Sequence, residues 1–90
     1  MSYCVYIIQS RSTGRYYIGH TENLARRLSQ HNDPEYKGSK TTKRFQGPWE
    51  VVYSEMFESR SSAMMREKEI KDWKSRKMIA QLVESRRRRD

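Results

Sequence analysis

Five side chains in this sequence have types and spacings that suit chemistry on a phosphate group. They are Tyr6, Tyr17, Arg27, His31 and Glu67. Phenols and imidazoles move protons, guanidinium groups bind phosphate oxygens, and carboxylates bind divalent cations. The chain elements around these residues must show whether they are brought together.

The two tyrosines occur in apolar segments that predict a β-hairpin. YCVYIIQ, residues 3–9, and YYIG, residues 16–19, flank the turn-forming sequence SRSTGR. If the turn consists of residues 11 and 12 alone, Tyr6 lies directly opposite Tyr17 on one face of the hairpin. The sequence does not fix that register. Two adjacent phenols could hydrogen-bond a phosphate or a water, or they could simply pack as an aromatic pair.

The arginine and the histidine belong to a helix predicted over residues 22–31. Leu24, Leu28 and His31 recur at helical spacing, which indicates the face that turns toward the sheet. Arg27 lies three residues after Leu24 and four before His31, at the edge of that face. Its guanidinium could hold a phosphate there, or its aliphatic stem could cover apolar surface.

The glutamate belongs to a second helix, predicted over residues 63–73. At 100° per residue, Glu67 falls between Ala63, Met64 and Ile70, on the side expected to pack inward. A carboxylate on that side needs a partner, because burying it unpaired is strongly unfavourable. It could pair with a nearby Lys or Arg, or it could bind Mg²⁺ or Mn²⁺.

The remaining histidine and the single cysteine give weaker signals. His20 follows Gly19 at a strand end, where it suits proton handling or a phosphate contact, and equally an exposed position without a role. Its spacing from His31 and from Cys4 matches no zinc site. One cysteine excludes an intramolecular disulfide, and the apolar neighbours of Cys4 indicate a small buried thiol.

The remaining segments predict a third strand over residues 49–57, helix-capping serines over 59–62, and a short helix over 74–85. The resulting β-β-α-β-α-α order is typical of a small α+β domain, with a three-stranded antiparallel sheet flanked by helices. We place this domain at residues 1–83 and interpret residues 84–90, with four arginines in a row, as a disordered basic tail.

The charge of the chain points to a polyanionic partner. Nineteen Lys and Arg face eleven Asp and Glu, a formal net charge of +8, and residues 1–83 alone keep fifteen basic and nine acidic residues. Nucleic acid is the partner class that this favours, and a merely solvated lysine-rich surface is the alternative. The sequence contains no secretory signal and no apolar stretch that could cross a membrane, which predicts a soluble cytoplasmic protein.

The order and spacing of these residues resemble the GIY-YIG nuclease superfamily, in particular its small stand-alone bacterial members of the UPF0213 type. Val5-Tyr6 resembles the end of the first family motif, and Tyr17-Ile18-Gly19 matches the second. Arg27 matches the family arginine, His31 falls where the family often has His or Tyr, and REKEIKDWKSRK resembles the helix with the catalytic glutamate, matched by Glu67. The resemblance spans residues 3–83. It departs at Cys4, where the family has Gly, and at His20, where Lys or Ser is frequent.

The resemblance implies a GIY-YIG-like fold and an endonuclease that uses Mg²⁺ or Mn²⁺, acting on DNA rather than RNA, in repair or recombination. Glu67 would hold the metal ion, Arg27 the scissile phosphate, and Tyr6 or Tyr17, made more acidic by nearby positive charge, would act on the attacking water with help from His31. Basic residues would bind the nucleic-acid backbone with His20: Lys37, Lys40, Lys43, Arg44, Lys71 and Lys74. Phe45 and Trp49 could stack on a base, although Trp49 also suits the core. The alternative is a non-catalytic nucleic-acid-binding module on the same fold.

Overall fold

The computed structural model describes residues 2–36 and 47–89, with side chains through residue 86. The described elements are β1 (Tyr3–Ser10), β2 (Tyr16–Thr21), α1 (Leu24–Asn32), β3 (Trp49–Phe57), α2 (Arg60–Asp72) and α3 (Arg76–Arg89). The strands form one antiparallel sheet in the order β2-β1-β3. This confirms the predicted α+β class and its three-stranded antiparallel sheet.

The sheet is covered on both faces, and β1 lies at its centre. Five consecutive apolar side chains of β1, Cys4 to Ile8, are buried because alternate residues face opposite layers. Val5 and Ile7 pack with α2 and α3, whereas Cys4, Tyr6 and Ile8 pack on the α1 side. Burial raises the pKa of the Cys4 thiol, as expected of a small core residue and not of a nucleophile.

Helices α1 and α2 begin at capping side chains, and the cap of α2 is one of the predicted serines. Asn23 Oδ1 accepts a hydrogen bond from the Arg26 backbone N–H at 3.0 Å and caps α1. Ser59 Oγ accepts from the Ser62 N–H at 3.2 Å and caps α2. Both bonds satisfy backbone donors that a helix start leaves without partners.

The hairpin register differs from the one considered for a two-residue turn. The connection consists of residues 11–14, and Gly14 adopts a positive φ of 77° that favours glycine. Tyr6 therefore lies opposite Gly19, and Tyr17 opposite Ile8. The direct Tyr6–Tyr17 pairing, which a two-residue turn would have produced, does not occur. The strand register is shifted by two residues, and an even shift keeps both tyrosines on the same face of the sheet.

A β-bulge explains the irregular alternation of β3. Ile7 pairs with Tyr53 and Ile8 pairs with Val51, so Val52 is an extra residue on β3. The bulge lets Trp49 and Val51 join the α1 side of the core while Val52 and Tyr53 face the other helices. The irregular pattern thus comes from a register change within the strand.

Helix α3 extends further than the sequence predicted. It runs from Arg76 to Arg89, so residues 84–89 are helical, in contrast to the predicted disordered tail. Val83 is buried in the core, and Arg86 Nη1 donates a hydrogen bond to the Ser54 carbonyl at 2.8 Å. These contacts attach the helix to the edge strand beyond the predicted boundary.

Candidate active site

Gly19 allows the Tyr6 ring to lie directly across β2. A Cβ atom at Gly19 would stand 2.6 Å from the Tyr6 hydroxyl oxygen and 2.8 Å from Tyr6 Cζ, both closer than real Cβ contacts. The two residues are cross-strand partners, so the phenol crosses the strand where the neighbour has no side chain. Because Gly19 has no side chain, it leaves the space that the Tyr6 ring occupies.

Three aromatic side chains meet on the α1 face of the sheet. The Tyr6 hydroxyl and His31 Nε2 are 2.8 Å apart in a buried hydrogen bond. The Tyr17 ring meets His31 edge-on with centroids 4.8 Å apart, and the Tyr6 and Tyr17 centroids are 6.4 Å apart. Tyr6 and His31 are almost fully buried, whereas Tyr17 is half-buried. The tyrosine pair and the histidine thus form one cluster, as their sequence positions suggested.

Arg27 joins this cluster from α1. Its guanidinium approaches Tyr6 and lowers the pKa of that phenol, donates to Gln30 Oε1 at 3.0 Å, and lies 5.9 Å from the Tyr36 ring centroid. Arginine can only donate, so its approach to the Tyr6 oxygen is compatible with a phenolic hydrogen directed to His31 Nε2. Arg27 is half-buried and held at the edge of the apolar face.

The protonation of Tyr6 differs from the sequence-based expectation. Burial is the main cause that raises the pKa of Tyr6 to about 12; the nearby Tyr17 and Glu67 also raise it, and Arg27 lowers it. We expected nearby positive charge to make the reacting tyrosine more acidic. For Tyr6 that was wrong, because removal of the phenolate from water outweighs one guanidinium.

Glu67 enters from α2, on the other face of the sheet. His20 Nδ1 donates to Glu67 Oε1 at 2.6 Å, and Lys71 Nζ donates to Oε2 at 2.7 Å. The side chains of His20 and Glu67 are 25% and 18% exposed, so the pair is largely shielded but still reachable from solvent. Burial alone would raise the pKa of Glu67, but the Lys71 and His20 contacts hold it below its ordinary value.

The Tyr6–Tyr17–His31 cluster and Glu67 approach each other at the free edge of β2. Tyr17 and Gly19 face the α1 side, and His20, between Gly19 and the strand end, faces the α2 side. The Tyr6 hydroxyl lies beside Gly19, and the next residue, His20, hydrogen-bonds Glu67. The site therefore combines proton-handling groups from one sheet face with a carboxylate from the other.

The donor set around Glu67 fits a hydrated, hard divalent cation. Within residues 2–36 and 47–86, no three His, Cys, Asp or Glu side chains converge on one point. A single carboxylate suits Mg²⁺ or Mn²⁺, which keep several waters and bind substrate phosphates, better than a caged zinc ion. Each Glu67 oxygen has a second lone pair, and the Lys71 side chain is 49% exposed and can move away.

The predicted nucleic-acid contacts have different outcomes. Lys71 is paired with Glu67, and His20 is bonded to the same carboxylate instead of facing solvent alone. Lys74 is exposed in the corner between α2 and α3. Trp49 is buried at 4% exposure and belongs to the core, not to a stacking surface. The remaining predicted residues lie outside the described part of the chain: Lys37, Lys40, Lys43, Arg44 and Phe45.

The sequence of this domain matches a known protein family. Residues 2–80 match the model of the GIY-YIG catalytic domain. The chain belongs to the GIY-YIG family. The family recognised from the sequence is therefore confirmed, and with it the assignment to a group of catalytic domains.

Relatives of two kinds share this GIY-YIG domain. A UPF0213 protein from Staphylococcus haemolyticus is 42% identical over 82 residues, covering 91% of this chain and 94% of the relative. The solution NMR structure of a UPF0213 protein from Bacillus halodurans is similar, with a TM-score of 0.56, 33% identity and coverage of 93% of this chain and 84% of that one. The UPF0213 resemblance is thus also confirmed.

The second kind is much longer. The structure-specific endonuclease subunit SLX1 of Phaeosphaeria nodorum is 49% identical over 52 residues, and that of Homo sapiens is 44% identical over 50. Each match covers 56% of this chain but only 14% and 18% of the relative. The matched part therefore spans less than a fifth of the length of these SLX1 proteins.

The contact between Gly19 and Tyr6 gives a prediction for this GIY-YIG domain. Gly19→Ala is expected to displace the Tyr6 ring and lower the stability by about 1–3 kcal/mol, because an added methyl overpacks a buried contact. Thermal unfolding checks the stability, and the tyrosine signals in an NMR spectrum check the ring position. Ala25→Ser, on the exposed side of α1, is the control. Gly47→Ala is less suitable because its added Cβ atom would lie 2.9 Å from Trp49 Cδ1. Unchanged Tyr6 signals in Gly19→Ala would contradict the prediction.

Proposed function

We propose that this protein is a divalent-metal-dependent endonuclease that hydrolyses phosphodiester bonds, with DNA as the substrate. The observation that carries the proposal is that the Tyr6–His31 pair and Glu67 meet β2 at adjacent residues, Tyr6 beside Gly19 and Glu67 on His20. A binding module has no need for a carboxylate among groups that contact a polyanion. The family assignment and the endonuclease relatives support the same activity.

Arg27 binds the scissile phosphate in this proposal. It is charged, half-buried and already oriented by Tyr6 and Gln30. A guanidinium held in this way loses little conformational freedom when a phosphate arrives, and it presents two parallel donors to the phosphate oxygens. Its contact with Tyr6 places the phosphate next to the group that handles the proton of the attacking water.

Tyr6 and His31 act together as the base. A phenol with a pKa of about 12 is almost never ionised at neutral pH, so a preformed phenolate is a poor source of catalysis. The hydrogen bond to His31 Nε2 offers another route, in which Tyr6 takes the proton of the water as its own proton passes to the imidazole. No isolated phenolate forms along this route. Tyr17, half-buried beside His31, orients the water.

Glu67 holds the divalent cation, with His20 as its positioning residue. When bound, the cation supplies positive charge against the charge that develops on the phosphate and the leaving oxygen. His20 fixes the carboxylate orientation through its Nδ1–H, as residues behind metal ligands commonly do. Lys71 pairs with Glu67 in the free protein, and a cation at the carboxylate would release this exposed lysine to contact the nucleic-acid backbone.

The biological setting follows from the relatives and from the charge of the chain. The SLX1 proteins are named as structure-specific endonuclease subunits, which favours branched or flapped DNA and a role in repair or recombination. No helix within residues 2–36 and 47–89 has the length and apolarity needed to span a membrane. We place the protein in the cytoplasm, where it meets DNA.

A cleavage assay over a panel of labelled substrates tests the proposal. Single-stranded, duplex, flapped and branched DNA and RNA are each incubated with Mg²⁺, Mn²⁺ or EDTA. We expect cuts with either metal, none in EDTA, and a preference for branched or flapped DNA. Substrates that are bound at low salt but never cut with either metal would overturn the nuclease and leave the nucleic-acid-binding module.

A further inference from the structure

A cleft of about 260 Å³ lies between the tip of the hairpin and the corner joining α2 to α3. Arg15 and Tyr16 line it from the hairpin, and Lys74, Ser75 and Arg76 line it from the corner. The lining contains three cationic side chains and no acidic one. Tyr16 points away from Tyr17, so the cleft opens on the α2 side of the sheet.

The side chain of Arg76 is held in place within this cleft. Its guanidinium stacks over the Tyr16 ring, 5.1 Å from the centroid, and passes close to Gly14. A Cβ atom at Gly14 would lie 3.2 Å from Arg76 Nη2, so the glycine leaves room for the guanidinium. Stacking on a ring orients the planar donor group and reduces the freedom that a bound anion must remove.

Lys74 presents its charge from a backbone conformation that favours glycine. Its φ is 48°, in the left-handed region, which is strained for a residue other than glycine. Glycine or asparagine would make the same turn with less strain. A lysine at this corner is therefore better explained by its charge than by the fold.

The cleft lies in line with Glu67. Lys71 follows Glu67 by about one turn of α2, and Lys74 lies at the corner two residues beyond the end of that helix. Along β2, Tyr16 and His20 are separated by about 13 Å. At a rise of about 3.4 Å per nucleotide, this distance corresponds to three or four nucleotides.

We propose that this cleft binds a backbone phosphate of the nucleic-acid substrate, three or four nucleotides from the bond that is cut. The inference rests on the proposed function for the position of that bond, and it adds a second contact on the opposite face of the sheet from Tyr17. Arg76 supplies the oriented guanidinium, and Arg15 and Lys74 supply the surrounding positive charge. A strand following the edge of β2 would pass Glu67, then Lys71, then the cleft.

Salt-titrated binding to a labelled 20-base-pair DNA duplex, measured by fluorescence anisotropy in EDTA, tests this contact without cleavage. Arg76→Gln and Lys74→Gly are each expected to weaken binding about five- to tenfold at 0.1 M salt and to reduce the slope of log K against log salt by about 0.9. Lys77→Gln is the matched control, since it removes the same charge from the neighbouring exposed position outside the cleft. Lys77→Gln is expected to change the slope by much less.

Lys74→Gly also separates binding from folding. Glycine relieves the positive φ, so this variant should unfold at the same temperature as the unchanged protein or higher. Equal losses in Lys74→Gly, Arg76→Gln and Lys77→Gln would overturn the cleft as a site, because only net charge would then matter. Displacement of the duplex from the cleft by poly-glutamate of equal charge would overturn the choice of nucleic acid.

The result is independent of whether the protein cleaves. If Arg76→Gln left the slope of log K against log salt unchanged while the protein cleaved DNA, the cleft would be rejected as a phosphate site and the nuclease activity would be retained. A reduced slope in a protein that cuts no substrate would keep the cleft as a nucleic-acid contact and reject the nuclease.

Discussion

Glu67→Gln is expected to reduce metal-dependent cleavage by about 10²–10³-fold or more. Glutamine has the shape of glutamate and keeps an oxygen that accepts hydrogen bonds, but it loses the charge that holds a divalent cation. His20 and Lys71 donate to different oxygens of the carboxylate, so only one of them keeps its bond to the single amide oxygen; Lys71, 49% exposed, can turn to solvent while His20 keeps its bond. Initial rates on the best substrate of the panel, at saturating Mg²⁺ or Mn²⁺, measure the effect.

The same variant should fold and should bind nucleic acid. The Lys71 partner is half-exposed, so losing that ion pair should change the unfolding free energy by no more than about 1 kcal/mol. Removing one negative charge near the substrate path should leave DNA affinity unchanged or slightly higher. Anisotropy in EDTA and thermal unfolding measure these two quantities separately from catalysis.

Glu69→Gln is the matched control for this loss. Glu69 lies two residues further along α2, is 58% exposed, and pairs with Arg66 and not with a residue of the candidate site. Glu69→Gln removes the same charge from the same helix, but Glu69 projects from another side of that helix. If Glu69→Gln lost as much activity as Glu67→Gln, or if Glu67→Gln still cut DNA, the metal-binding role of Glu67 would be rejected.

The helical position of Glu67 and its pairing with a nearby lysine were predictable, but the centre of the buried helix face was not. Ala63 and Ile70 are fully buried, as their spacing indicated, while Met64 is 50% exposed instead of inward-facing. The buried face is therefore centred to one side of Glu67, which leaves the carboxylate at the boundary with solvent. Hydrophobic periodicity locates the edge of a buried helix face only to within about one residue.

His20 shows what the sequence lacked. Alternation along YYIGHT places His20 on the opposite face from Tyr17, and that signal was present. The contact with Glu67 joins residues 47 positions apart, and it depends on how α2 crosses the sheet. Local patterns predict the face of a strand but not which turn of a distant helix packs against it.

Tyr6 shows the second limit. Its position on the α1 face was predictable, because the parity of a strand survives a two-residue shift in register. Its acidity was not, because the sequence reveals nearby charges but not the depth of burial. The buried ring and its contact with Gly19 could be recognised only once the register was known.

Tyr6→Phe is expected to reduce cleavage by about 10²–10⁴-fold, the range that general acid–base groups contribute. Phenylalanine keeps the ring over Gly19 and loses only the hydroxyl that joins Arg27 to His31. The imidazole is then buried with one partner fewer, so a loss of about 1–3 kcal/mol in stability is also expected. Rates are therefore compared at a temperature at which unfolding curves show that both proteins are folded.

Tyr17→Phe is the matched variant, because it makes the same change on the neighbouring ring of the cluster. Tyr17 meets His31 through its ring edge, so we expect a smaller loss of activity and little loss of stability. A larger loss of activity in Tyr17→Phe than in Tyr6→Phe would transfer the role of base to Tyr17. Equal and small losses in both would remove the tyrosines from the proton transfer.

The pH dependence of the rate separates the proposed relay from a simple phenolate base. If a preformed Tyr6 phenolate attacked the water proton, the rate would rise about tenfold per pH unit from neutrality toward the pKa of about 12, because the phenolate fraction rises in that way. If Tyr6 instead passes its proton to His31 as it takes the proton of the water, the rate should not follow the phenolate fraction and should show no such tenfold rise per pH unit. His31→Gln removes the proton acceptor and should lower the rate, leaving only the part that rises with the phenolate fraction. A tenfold rise per pH unit in the unchanged protein would reject the relay while keeping Tyr6 as the base.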